Sequence, residues 1–148
     1  MLASTRGRYA LRAMVDIAEN NRGDYIPLKE VAKRQEISEK YLESILSSLT
    51  KAGILEGLRG KGGGYRLAAA PRPPTVRSVL EVVEGKIFMV PCLQHKPSKC
   101  RRSRGCPTLS LWQKLQSTVE TFLDNVTIAD LCKPKPGRGR SRKIKPRG

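Results

Sequence analysis

Aromatic side chains are scarce in this sequence, 5% of 148 residues with a single Trp, so any core must be largely aliphatic. Acids are scarce too: 13 Asp and Glu stand against 29 Lys and Arg, a formal net charge of +16. A surplus that large points to a polyanionic partner. No apolar run is long enough to cross a bilayer, and no apolar anchor accompanies the basic residues, so nucleic acid is favoured over membrane. The start of the chain lacks the apolar core of a secretory leader, and a cytoplasmic location is the expectation. There is one histidine, no nucleophile paired with a base, and no phosphate loop between a strand and a helix, which argues against an enzyme. The four cysteines, in a reducing compartment, read as metal ligands or redox thiols rather than as a disulfide framework.

What is present centres on residues 37–67, ISEKYLESILSSLTKAGILEGLRGKGGGYRL. Ser38 is placed to cap a helix, its hydroxyl accepting a first-turn N–H. Tyr41, Leu42, Ile45, Leu46 and Leu49 recur at helical spacing and mark a buried face. The opposite face carries Lys40, Glu43, Ser44, Ser47, Ser48 and Lys51, all able to bond phosphates or base edges. Gly53 ends the helix, and two β-prone runs, 54–58 and 65–67, flank the glycine-rich turn Arg59-Gly60-Lys61-Gly62-Gly63-Gly64, a hairpin pattern. Helix, turn, helix and basic hairpin together predict a mostly α fold with a small β-hairpin wing, a winged helix–turn–helix. In this reading Ser38, Lys40, Tyr41, Glu43 and Ser44 meet bases or backbone in the major groove, with Glu43 accepting from a cytosine amino group. Arg59 and Lys61 reach the minor groove, while Gly62 and Gly63, with Gly64, allow close approach.

The rest of the chain divides around this unit. Residues 1–70 make the DNA-binding domain, with a first helix over 6–20 and a short second helix following Pro27 and ending near Gln35. Residues 71–91 are a proline-stiffened connector and a helix capped by Thr75 and closed by Gly85, and 92–106 form a cysteine loop. Residues 107–132 hold a long helix with Trp112, Leu115, Val119, Phe122 and Val126 at a/d spacing. The stripe suits packing on the chain's own core or a partner helix; a two-fold dimer reading a pseudo-palindromic duplex is the expectation. Thr127 and Asp130 resemble a capping box for a short last turn. The tail, residues 133–148, holds eight Lys and Arg and no acid. It is expected to be disordered, adding salt-sensitive phosphate affinity or serving only solubility.

Cys92, Cys100 and Cys106 are spaced C-x7-C-x5-C, neither the paired spacing of zinc ribbons nor that of bacterial ferredoxins. Lys96, Lys99, Arg101, Arg102 and Arg104 surround them and favour thiolates, the form that ligates metal. The residues leave three readings open: an iron–sulfur cluster, zinc held by three thiolates and His95, or bare thiols forming a reversible disulfide.

The chain from Met1 to about Cys132 resembles the Rrf-two (Rrf2) family of bacterial winged-helix regulators. The marks are GRYALRAM near the N-terminus, SEKYLESILSSLTKAGIL, the wing RGKGGGYRL, and the cysteine triad ahead of Leu111-Trp112. The resemblance implies a homodimer with a long helix from each chain crossing at the centre. It also implies a repressor whose operator binding responds to a [2Fe–2S] or [4Fe–4S] cluster held by Cys92, Cys100 and Cys106. The signal would be redox state, nitric oxide or iron–sulfur supply, or in another branch cysteine and sulfur metabolism. In one branch a histidine three residues past the last cysteine completes the site, and this chain has Leu109 there. In another branch an aspartate near the N-terminus does so, and this chain has Arg8. His95 is the first candidate for the fourth ligand, Cys132 the second, and a partner-chain carboxylate the third. A protein-binding metal module with an RNA-contacting tail is the competing class.

Overall fold

The computed structural model describes residues 3–134. Among the described residues, six α-helices and one hairpin follow in the order α1 (Thr5–Asn20), α2 (Leu28–Gln35), α3 (Glu39–Lys51), β1 (Leu55–Leu58), β2 (Gly64–Leu67), α4 (Val76–Glu84), α5 (Leu109–Asp124) and α6 (Ile128–Leu131). The strands pair antiparallel with Leu55 opposite Leu67 and Leu58 opposite Gly64. Two single 3₁₀ turns, Pro91–Leu93 and Ser103–Gly105, interrupt the cysteine loop.

Local chemistry accounts for most boundaries. Ser4 caps α1 by accepting the Gly7 N–H at 3.0 Å, and Ser38 caps α3 by accepting the Tyr41 N–H at 3.3 Å. Thr75 and Ser78 form a reciprocal capping box on α4, as Thr127 and Asp130 do on α6. Gly85 closes α4 at φ 81°, a left-handed φ that costs glycine little. The turn between α2 and α3 is tighter than its sequence advertises: Glu36 takes the left-handed conformation at φ 55°, and Ile37 is buried beside it.

The core is aliphatic. Met14 and Ile17 of α1, Val31 of α2, Leu42, Ile45, Leu46 and Leu49 of α3, Leu55, Val79 and Ile128 are fully buried. Asp16 lies among them, 4% exposed, and Arg34 of α2 grips its carboxylate from Nη2 at 2.7 Å and Nε at 3.0 Å while Gln35 donates at 2.8 Å. This pair, with its carboxylate buried and its guanidinium at the surface, ties α1 to α2. The wing is fixed from the other side, because Ile26 exchanges two backbone hydrogen bonds of 2.9 Å with Tyr65.

The C-terminal half departs from a single long helix over 107–132. α5 ends at Asp124, and the chain returns in extended form to the connector, where Val76 N–H donates to Val126 O at 2.8 Å and Ile128 N–H to Pro74 O at 2.9 Å. Val126 is therefore no member of an exposed seam: it is buried in its own chain with Val76, Leu80 and Ile87. The a/d period runs across the helix end because hydrophobic spacing carries no information about where a return strand intervenes. Leu111, Leu115 and Phe122 do stand out, 58%, 40% and 51% exposed, with Trp112 and Val119 half-buried beside them.

Candidate nucleic-acid interface and cysteine loop

α3 and the hairpin enclose an open cleft of about 650 Å³ lined by Glu43, Ser47, Lys51, Arg59 and Tyr65, with Lys29 of α2 at its edge. Tyr65 reports how closely its two walls converge. Burial pushes its phenol pKa up, the Glu43 carboxylate pushes it further, and the Arg59 guanidinium opposes both. Thus a helix residue and a wing residue address the same space. Lys40, Glu43 and Ser44 are exposed on α3, and Arg59 and Lys61 on the turn.

Other predicted contacts divide their roles. Ser38 is engaged as the cap of α3. Tyr41 is half-buried, and its ring meets Tyr9 edge-on at 5.9 Å, so the ring packs α3 on α1. The wing glycines serve the hairpin itself: Gly62 has φ 76°, a Cβ on Gly63 would strike the Leu58 carbonyl oxygen, and one on Gly64 the Ile26 carbonyl oxygen. At the hairpin base Arg66 pairs with Glu56 across the strands at 2.8 Å and lies over the Tyr25 ring at 4.4 Å. Sequence reasoning overlooked Lys29 and Tyr65 as cleft residues, and it overlooked Arg6. The Arg6 guanidinium donates to Ser44 Oγ at 2.9 Å and to Ser48 Oγ at 3.2 Å. These are non-local placements with no spacing signature.

The cysteine loop lies between α4 and α5. Gln116, the one buried polar side chain of α5, holds the chain leading into it: its Oε1 accepts the Met89 N–H at 2.8 Å, and its Nε2 donates to Ile87 O at 2.6 Å and Glu120 at 2.7 Å. Glu120 belongs to a network in which Arg77 of α4 also meets Glu81 at 2.9 Å and Asp124 at 2.8 Å. Cys92 and His95 border an open cavity of about 940 Å³ between this network and the loop. Cys106 lies 3.4 Å from the Thr108 hydroxyl. That hydrogen bond, with backbone N–H groups and the Arg102 charge, holds its thiol below the ordinary value.

Cys92, Cys100 and Cys106 are free thiols, chemically suited to a thiophilic metal. Their placement is another matter: among the described residues no three His, Cys, Asp or Glu side chains converge on a point where a metal would sit. Cys92, Cys100, Cys106 and His95 thus share a loop without forming a preassembled site. Cys132 stands apart at the end of α6, its thiol 3.3 Å from Ile128 O.

A helix–turn–helix whose second helix and basic hairpin line one cleft is a winged helix–turn–helix of the transcription-regulator class. The chain belongs to the Rrf2 family: that family's model, described as an iron-dependent transcriptional regulator, matches residues 3–134. It is 37% identical over 133 residues to the HTH-type transcriptional regulator IscR of Vibrio atlanticus, covering 90% of this chain and 76% of that one. Among solved structures it is similar to T. potens IscR, with TM-score 0.68 and 34% identity over 88% of this chain and 85% of that one. It is also similar to CymR, the global cysteine regulator of B. subtilis, with TM-score 0.72 and 32% identity over 88% and 95% of the two chains. Among the described residues, no helix is long and apolar enough to cross a membrane.

Proposed function

We propose that the protein is a homodimeric repressor that binds a pseudo-palindromic DNA operator and responds to an iron–sulfur cluster on Cys92, Cys100 and Cys106. The observation that carries the DNA reading is the shared cleft, which Glu43, Ser47 and Lys51 of α3 and Arg59 of the wing line together. α3 then enters the major groove with Lys40, Glu43 and Ser44 toward the bases, while Arg59 and Lys61 reach the adjoining minor groove and Lys29 and Lys51 neutralise phosphates. Two copies joined along Leu111, Leu115 and Phe122 present two such helices to successive grooves.

The cluster reading rests on the free triad, its cationic loop and the family. A cluster supplies one-electron redox chemistry and sensitivity to oxidants and nitric oxide. The chain's own part is to furnish thiolates, which the Cys106 environment already favours, and to move the three thiols together. Because Gln116 ties the loop's leading segment to α5, a change of loop shape is felt where the dimer forms. Zinc on three thiolates and His95 is the lesser metal reading. A metal-free thiol switch is the second reading, favoured by Cys106, whose thiol the Thr108 hydroxyl at 3.4 Å and nearby backbone N–H groups hold below its ordinary pKa. Such a switch suits a regulator of cysteine metabolism.

Protein purified without oxygen tests the proposal through its absorption spectrum and its iron and acid-labile sulfide content. Near-stoichiometric iron and sulfide, with different operator affinities for holo and apo protein, is the expected result. A colourless protein that resists reconstitution overturns the cluster reading and leaves the thiol switch. Cys92→Ala should erase any cluster-dependent difference in operator binding.

A further inference from the structure

The recognition helix carries a hydroxyl whose polarity is set from outside it. Arg6, in the first turn of α1, donates through Nη1 to Ser44 Oγ at 2.9 Å, and through Nη2 to Ser44 O at 3.3 Å and Ser48 Oγ at 3.2 Å. Ser48 spends its own proton on Ser44 O at 3.1 Å, as Thr50 spends its proton on Leu46 O at 2.8 Å. Ser44 Oγ thus accepts a charged donor, while among the described residues nothing accepts its proton. Ser44 is exposed, on the same face as Glu43 and Lys40.

A hydroxyl can donate one hydrogen bond and accept two, and its rotor normally adapts to whichever base edge it meets. A guanidinium N–H on the oxygen orients the rotor away from itself and strengthens the remaining O–H as a donor. We infer that Arg6 is a specificity-determining residue: it holds the Ser44 hydroxyl as a hydrogen-bond donor, so that α3 selects a base presenting an acceptor at the position Ser44 reaches. In the major groove such acceptors are purine N7, guanine O6 and thymine O4, whereas the cytosine edge presents its N4 donor there. Glu43, one residue earlier and acceptor-only when ionised, has the opposite preference. The neighbouring pair reads as acceptor followed by donor.

This inference rests on the operator-binding reading, and one experiment separates their failures. The full-length protein, Arg6→Met and Ser44→Ala are each used to enrich binders from a randomised DNA duplex library, and single-base variants of the enriched sequence are titrated. Arg6→Met keeps the apolar stem at a half-exposed position and removes every donor, and thermal melts establish that both variants fold. The parent should disfavour a cytosine-type edge at one position of each half-site by about fivefold, the worth of one net hydrogen bond. Both variants should flatten the preference at that position and leave the other positions unchanged, and the double variant should flatten it no further. A purely structural or phosphate-neutralising Arg6 would lower affinity equally for all sequences. A parental base profile retained in either variant would therefore overturn the inference. A parent that enriches no sequence would overturn the operator reading and this inference together.

Discussion

Replacing Phe122 by Glu should dissociate the proposed dimer while leaving each protomer folded. Phe122 is 51% exposed and lies three turns along α5 from Leu111, on the same face as Leu111 and Leu115. An aromatic side chain presents roughly 200 Å² for burial, so about half of that, about 100 Å², remains for a partner to cover. At about 25 cal/mol per Å² this contributes about 2.5 kcal/mol per copy. A two-fold interface uses the residue twice, giving about 5 kcal/mol. The carboxylate adds a desolvation penalty, so the dimer dissociation constant should rise by at least about a thousandfold. Sedimentation velocity across a wide protein concentration range measures that constant. Circular dichroism and a thermal melt establish that the fold persists, as expected for a residue outside both core clusters. Equal dissociation constants for Phe122→Glu and the parent would refute the reasoning and remove this face of α5 from any self-association.

Further outcomes follow from other parts of the molecule. Arg59→Ala should weaken operator binding by tenfold or more with the dimer intact and reduce the salt dependence of binding by about one counterion, as read by fluorescence anisotropy at several salt concentrations; unchanged affinity would remove the wing from recognition. Asp16→Ala removes the buried carboxylate that the exposed Arg34 guanidinium and Gln35 hold, and urea unfolding should show a loss of about 1–3 kcal/mol. Because the Cys106 pKa is depressed, its thiolate persists to lower pH than that of an ordinary thiol. Alkylation of Cys106 should accordingly reach its half-maximal rate below the usual thiol pH, and Thr108→Val should move that midpoint upward, as followed by mass spectrometry across a pH series.

The winged domain was readable from the sequence because its determinants are local. The periodic residues of α3, Ser38 at its start, and Thr75 and Gly85 around α4 act within a few residues of themselves. Gly60, Gly62, Gly63 and Gly64 announced a turn for the same reason, and the Leu58 and Ile26 carbonyls by themselves already require glycine at positions 63 and 64. Whatever depends on distant segments was not readable. Val126 has the spacing of an α5 seam residue, yet its neighbours come from α4. Arg6 and Ser44 meet across 38 positions, and Ile26 joins the wing through backbone atoms that leave no trace in side-chain pattern. The cysteine triad was visible as composition, while the lack of a three-ligand group among the described residues is a matter of loop path.

The loop that carries those thiols is a closed excursion from one helix. Its front is held by Gln116 on α5 through Ile87 and Met89, and its back is the start of α5 itself at Leu109. Seven residues of helix separate those anchors, about 10 Å at 1.5 Å per residue. With both ends on one rigid rod, the intervening chain can lengthen or shorten without displacing α4, the wing or α3. The closure entropy of two extra residues in a loop of this size is only about 0.1 kcal/mol. The long C-x7-C interval is thus nearly free of thermodynamic consequence for the fold. A change in this loop therefore reaches the DNA-reading surface only through α5, the helix on which both of its ends are held.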